Sequence, residues 1–132
     1  MKKILIVSSN YYPKITKDLI NSIKFLLNNN KLKSKYLSVP GVYEIPVAIS
    51  RNLKKYDAFI ALGCVIKGET PHFDLICNST FNGLMQLSIS SKKPIGNGII
   101  TALNKKQAIK RSGKRGKGFE AAKAALYILK NV

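Results

Sequence analysis

A chain of 132 residues, 45% of them hydrophobic, is sized for one domain over its whole length and can bury a real core. It holds no apolar run long enough to span a bilayer and no charged-then-apolar leader ending in a cleavage site, so it reads as a soluble, unexported, cytoplasmic protein. Twenty-three Lys and Arg against six Asp and Glu leave a formal charge of +17, which attracts polyanions and phosphorylated small molecules. The lysines are scattered over the chain rather than interleaved with aromatics, and that pattern disfavours nucleic acid as the partner.

KILIVS, residues 3 to 8, is a short apolar run ended by Ser-Asn-Tyr-Tyr-Pro and predicts a buried strand. Leu19, Ile23, Leu26 and Leu27 then recur at helical spacing until Asn28, Asn29 and Asn30 stop the pattern. A second strand over Ser34 to Val39 runs into Pro40-Gly41, and Ile45, Ala48, Ile49 and Leu53 predict another helix. Tyr56 to Ile66 is the most continuously apolar segment, the pattern of a central strand in a parallel sheet covered on both faces. Cys64 in this strand and Cys77 beyond it lie in apolar surroundings and read as reduced core thiols.

From Pro71 a long helix carries Phe73, Ile76, Cys77, Phe81, Leu84 and Leu87 on one stripe, and Ile95 to Thr101 gives a fourth strand. Asn104 is placed to cap a short basic helix through Arg111; after a Gly-rich loop, the last helix buries Phe119, Ala122, Leu126 and Leu129. Strand and helix alternate throughout, which predicts an α/β domain with helices on both sides of a parallel sheet. Ligands of such sheets collect beyond the carboxyl ends of strands, so chemistry is expected just after Ser8, Val39, Ile66 and Thr101.

The only histidine lies in GCVIKGETPHFD, residues 63 to 74, behind one of those ends. Thr70 is expected to cap the helix, with Pro71 at its first position, where the missing N–H costs nothing. Free amides and the positive end of the helix dipole then make Gly68 to His72 a phosphate site, and a neutral His72 beside it can take up or relay a proton. Tyr11 offers a face for a planar heterocycle, and Tyr43 with Glu44 a second ring and a carboxylate for hydroxyl groups. Lys114, Arg115 and Lys117 among the glycines of SGKRGKG supply further positive charge without forming a P-loop. A Cys64 nucleophile based by His72 is disfavoured, because Cys64 lies inside its strand with no orienting third group.

VPGVYEIP (39 to 46), ALGCVIKGETPHFD (61 to 74), PIGNGIIT (94 to 101), QAIKRSG (107 to 113) and KGFEAA (117 to 122) together resemble the lumazine synthase family of riboflavin biosynthesis, in the family's order and over nearly the whole chain. The resemblance implies a flavodoxin-like three-layer α/β/α sandwich with a central four-stranded parallel sheet. It also implies assembly into pentamers, in some members into shells of twelve pentamers, with active sites between neighbouring subunits and a further association with riboflavin synthase. The implied reaction condenses 5-amino-6-ribitylaminouracil with 3,4-dihydroxy-2-butanone 4-phosphate, with neither metal nor organic cofactor, and releases phosphate and water.

Carried over by position, Tyr11 would stack on the pyrimidine, Val42, Tyr43 and Glu44 would hold the ribityl chain, and the backbone of Cys64, Val65 and Ile66 would meet the ring's polar edge. Glu69 and Thr70 would bind the phosphate, His72 would transfer protons, Asn97 would enter from the adjacent subunit and Arg111 would neutralise the leaving phosphate. The chain departs from the family in starting almost at its first core strand, which makes full shells less expected than pentamers. Lys67 stands where Arg is common, and the loop before Lys117 is short, which leaves open whether Lys114 or Lys117 takes the family's active-site lysine role.

Overall fold

A four-stranded, all-parallel sheet forms the middle layer of the computed structural model, which describes residues 1–132. In chain order the elements are β1 (Lys3–Ser9), α1 (Pro13–Asn29), β2 (Lys33–Val39), a 3₁₀ turn (Val42–Glu44), α2 (Ile45–Ser50), β3 (Ala58–Ile66), α3 (His72–Ser91), β4 (Ile95–Ala102), α4 (Lys105–Arg111) and α5 (Lys117–Asn131). The strands lie in the order β2-β1-β3-β4, so the fold is the flavodoxin-like α/β arrangement expected from the sequence. No helix is long and apolar enough to cross a membrane.

Period-two alternation along the inner strands sorts the core into two layers. Ile4, Ile6, Ile60, Leu62 and Cys64 pack against Ile15, Leu19, Ile23 and Leu27 of α1 and Ala121, Ala122 and Ala125 of α5. On the opposite face, Leu5, Val7, Phe59, Ala61 and Ile99 meet Ile45 and Ile49 of α2 and Leu84 of α3. Buried without interruption from Ala58 to Cys64, β3 has no solvent face, which is why its sequence shows no alternation.

Local chemistry pins the edges of this frame. Asp57 delays β3 to Ala58: its carboxylate accepts from the Lys3 amide at 2.8 Å while its own amide donates to the Lys3 carbonyl at 2.8 Å, which sets the β1–β3 register. Asn104 caps α4 as expected, its Oδ1 accepting from the Gln107 amide at 2.9 Å, and the Gln107 side chain accepts in return from the Leu103 amide at 2.9 Å. The expectation for α3 is corrected by one residue. Pro71, not Thr70, is the cap position, and the Thr70 hydroxyl accepts from the His72 amide at 3.3 Å from outside the helix. The first helical bond runs from the Leu75 amide to the Pro71 carbonyl, which makes Pro71 an acceptor at the boundary rather than a residue inside it.

β4 and α5 approach so closely at Gly96 that an added methyl group would collide with the Ala121 carbonyl oxygen. Backbone cannot rotate aside as a side chain can, so Gly96→Ala must separate strand from helix. The expected loss is about 1–3 kcal/mol. A lower urea midpoint at unchanged m-value will show it; an unchanged midpoint would mean that α5 yields without cost.

Candidate functional site

β1 continues to β2 on one side and the chain then crosses to β3 and β4 on the other, so the connections diverge between β1 and β3. Divergence leaves a crevice beyond the carboxyl ends of those strands. A cleft of about 470 Å³ lies there, lined by Tyr11 and Tyr12 after β1, Pro40 to Glu44 after β2, Cys64, Val65 and Ile66 at the end of β3, and His72 and Ile76 from α3. Gly63 permits this closure, because any side chain on it would strike the Ser9 hydroxyl and the Val42 side chain.

The lining divides by chemistry. Tyr11 is 71% exposed and forms a T-shaped pair with its neighbour Tyr12, with centroids 5.0 Å apart and planes at 76°. The half-buried Glu44 carboxylate folds back over Gly41, the only acid among the lining residues. Burial pushes the Cys64 thiol up to about 11, so it stays protonated at neutral pH and contributes no nucleophile, in keeping with the expectation from sequence. Desolvation, and then the nearby Cys64 and Tyr11, raise the Tyr12 phenol as well. Both cysteines are free and buried.

Around the cleft mouth, the exposed loop before α3 carries Glu69 and Thr70, and the amides of Gly68, Glu69 and Thr70 make no backbone hydrogen bond in the chain. Such donors at a helix start suit an anion. The Lys67 amide ties this loop to the Ala102 carbonyl at 2.9 Å, and the Arg111 guanidinium donates to the next carbonyl back, Thr101, at 3.1 Å. Successive strand carbonyls point to opposite sides, so Arg111 lies along the outer edge of β4 rather than inside this chain's cleft.

Asn97 also belongs to β4, opposite Ala61, with its Oδ1 accepting from the Ile99 amide at 3.1 Å. Lys114 is exposed and Lys117 half-buried at the start of α5; neither lines the cleft. The fold therefore gathers Tyr11, Val42, Tyr43, Glu44, Cys64, Val65, Ile66 and His72 into one cavity and leaves Glu69, Thr70, Asn97, Arg111, Lys114 and Lys117 outside its lining. Sequence reasoning missed Tyr12, Pro40, Gly41 and Ile76. Ile76 was legible as the residue one helical turn after His72; the others carried no signal beyond lying after strand ends.

A flavodoxin-like α/β fold whose switch-point cleft joins an exposed tyrosine, a carboxylate, strand-end backbone and a single histidine has the make-up of an enzyme site. The 6,7-dimethyl-8-ribityllumazine synthase of Agrobacterium fabrum is 41% identical over 136 residues, covering 96% of this chain and 91% of its own. Those of Bartonella tribocorum and Sphingopyxis alaskensis are 39% and 38% identical, over 96% and 98% of this chain and 87% and 94% of theirs. The chain belongs to the 6,7-dimethyl-8-ribityllumazine synthase family, whose sequence model matches residues 1–132. Its activity is lumazine synthesis, a transferase step of riboflavin biosynthesis.

Proposed function

We propose that the switch-point cleft is where this activity is carried out, with one half of each site supplied by this chain and the other half by a neighbouring copy. Tyr11 stacks on the pyrimidine of 5-amino-6-ribitylaminouracil, Val42, Tyr43 and Glu44 hold its ribityl chain, and the backbone of Cys64 to Ile66 meets the ring's polar edge. Glu69, Thr70 and the free amides before α3 hold the phosphate of 3,4-dihydroxy-2-butanone 4-phosphate. Asn97 on the edge strand β4 and Arg111 at the end of α4 face the cleft of the next subunit, with Lys114 or Lys117 beside them. The observation that carries the reading is the convergence of Tyr11, Glu44, the β3 end and His72 on one cavity.

In this site the substrate amine attacks the ketone, and loss of water gives an imine. Removal of the proton next to the imine expels phosphate, and the ribityl-bearing amine then closes the ring on the remaining carbonyl, whose oxygen leaves as a second water. His72 is placed to take up and return those protons, while Arg111 and the loop amides stabilise the charge that builds on the departing phosphate.

A pentamer is the assembly we propose, with shells of twelve pentamers as a further state. Its support is the outer face of α3, where Leu75, Met85 and Ile89 are 63%, 62% and 69% exposed, next to exposed Val47 of α2. A helix apolar on both its inner and outer faces is one that another surface covers. Buried free thiols fit a reducing, cytoplasmic compartment. Mixing the protein with both substrates should produce the lumazine's absorbance and fluorescence, from particles that light scattering sizes at five chains or a multiple. Full activity from a monomer would overturn the shared site.

A further inference from the structure

We infer that Tyr12 is a positioning residue that holds the ring of Tyr11 at the angle from which it stacks on the ligand. The inference rests on the reading of Tyr11 as the stacking residue. Tyr11 follows the end of β1 and is largely exposed, so little of its surface is held by the core. A free exposed ring samples several rotamers and must lose that freedom when a ligand stacks on it. Tyr12 is different. It packs against the core layer formed by α1, α5 and the sheet, its carbonyl accepts the Thr16 amide at 3.0 Å at the start of α1, and its ring lies close to Cys64. The two rings meet with centroids 5.0 Å apart and planes at 76°, the T-shaped geometry that aromatic quadrupoles favour. An anchored ring therefore braces an unanchored one.

The brace predicts a particular pattern of effects. Tyr12→Leu should weaken binding of 6,7-dimethyl-8-ribityllumazine, used as a fluorescent probe, by roughly two- to tenfold, the range that an aromatic pair contributes beyond its area. In turnover the same variant should raise KM for the ribityl pyrimidine more than it lowers kcat, since preorganisation affects binding. Tyr12→Phe keeps the ring edge and should recover most of the loss. In a Tyr11→Ala background, Tyr12→Leu should add almost nothing, because the ring being braced is gone.

The measurement is a double-mutant cycle by equilibrium fluorescence titration of the assembled protein. Additive effects of Tyr11→Ala and Tyr12→Leu would overturn the brace, since general damage to the cleft would persist without Tyr11. Failure of Tyr12→Phe to recover affinity would also overturn it, by showing that the phenol hydroxyl contacts the ligand itself. If Tyr11→Ala alone leaves affinity unchanged, the stacking role of Tyr11 falls and the brace with it; if Tyr11→Ala weakens binding and the pair is uncoupled, only the brace falls.

Discussion

Replacing His72 with alanine is expected to lower turnover by roughly ten- to a thousandfold while binding of the ribityl pyrimidine and assembly stay near wild type. His72 lines the cleft, is exposed, and opens α3 without serving as its cap, so removal of the imidazole leaves the helix start intact. The first helical bond runs to the Pro71 carbonyl and involves only backbone. The range reaches below that usual for general acid-base catalysis because water in an open cleft can carry some of the protons. Holding the two reactants together should survive the substitution, so residual activity is expected. Single-turnover product formation beside an equilibrium titration with the lumazine separates the roles. Unchanged single-turnover rates would reject proton relay, and joint loss of folding and binding would assign His72 a structural role.

Arg111→Ala should impair use of the phosphorylated substrate by about 10- to 150-fold and leave lumazine affinity almost unchanged. That range corresponds to about 1.5–3 kcal/mol for losing one charge-assisted partner. The guanidinium is exposed and makes one hydrogen bond inside the chain, to the Thr101 carbonyl, so little stability goes with it. Arg111→Lys should recover only part of the activity, since an ammonium replaces the charge but not the planar fork that matches a phosphate. Steady-state kinetics with each substrate varied in turn tests this. Equal losses toward both substrates would remove Arg111 from the phosphate site. If Arg111 and His72 serve opposite halves of a site shared between copies, mixed assemblies of the two impaired variants should regain activity in the sites that combine two intact halves.

Much of this architecture was legible in local pattern. The strands over residues 3 to 8 and 56 to 66 announced themselves as apolar runs, and their observed bounds moved by at most two residues because Asp57 is held against Lys3. The cap at Asn104 was legible because its partner, Gln107, is three residues away, a distance that sequence states directly. Strand-helix alternation implied a parallel sheet and so a site beyond the carboxyl ends of its strands, and the dense GCVIKGETPHFD block together with its flanking segments named the family.

Other features needed the assembled chain. Tyr11 and Tyr12 are adjacent, identical in type and both line the cleft, yet Tyr11 is exposed while Tyr12 is half-buried and packs against the core layer, a division set by how α1 packs on the sheet. That the Cys64 thiol is too buried to ionise follows from the closure of α1 and α5 over β3, and Glu44 reaches the cleft only because the 3₁₀ turn after β2 lies over Gly63. By itself the sequence determined the elements, their order and the family, because those depend on residues within a turn or two of one another. Only the tertiary structure decided which groups share the cleft and that Asn97 and Arg111 lie outside it, because strand order and register bring segments tens of residues apart to the same strand ends.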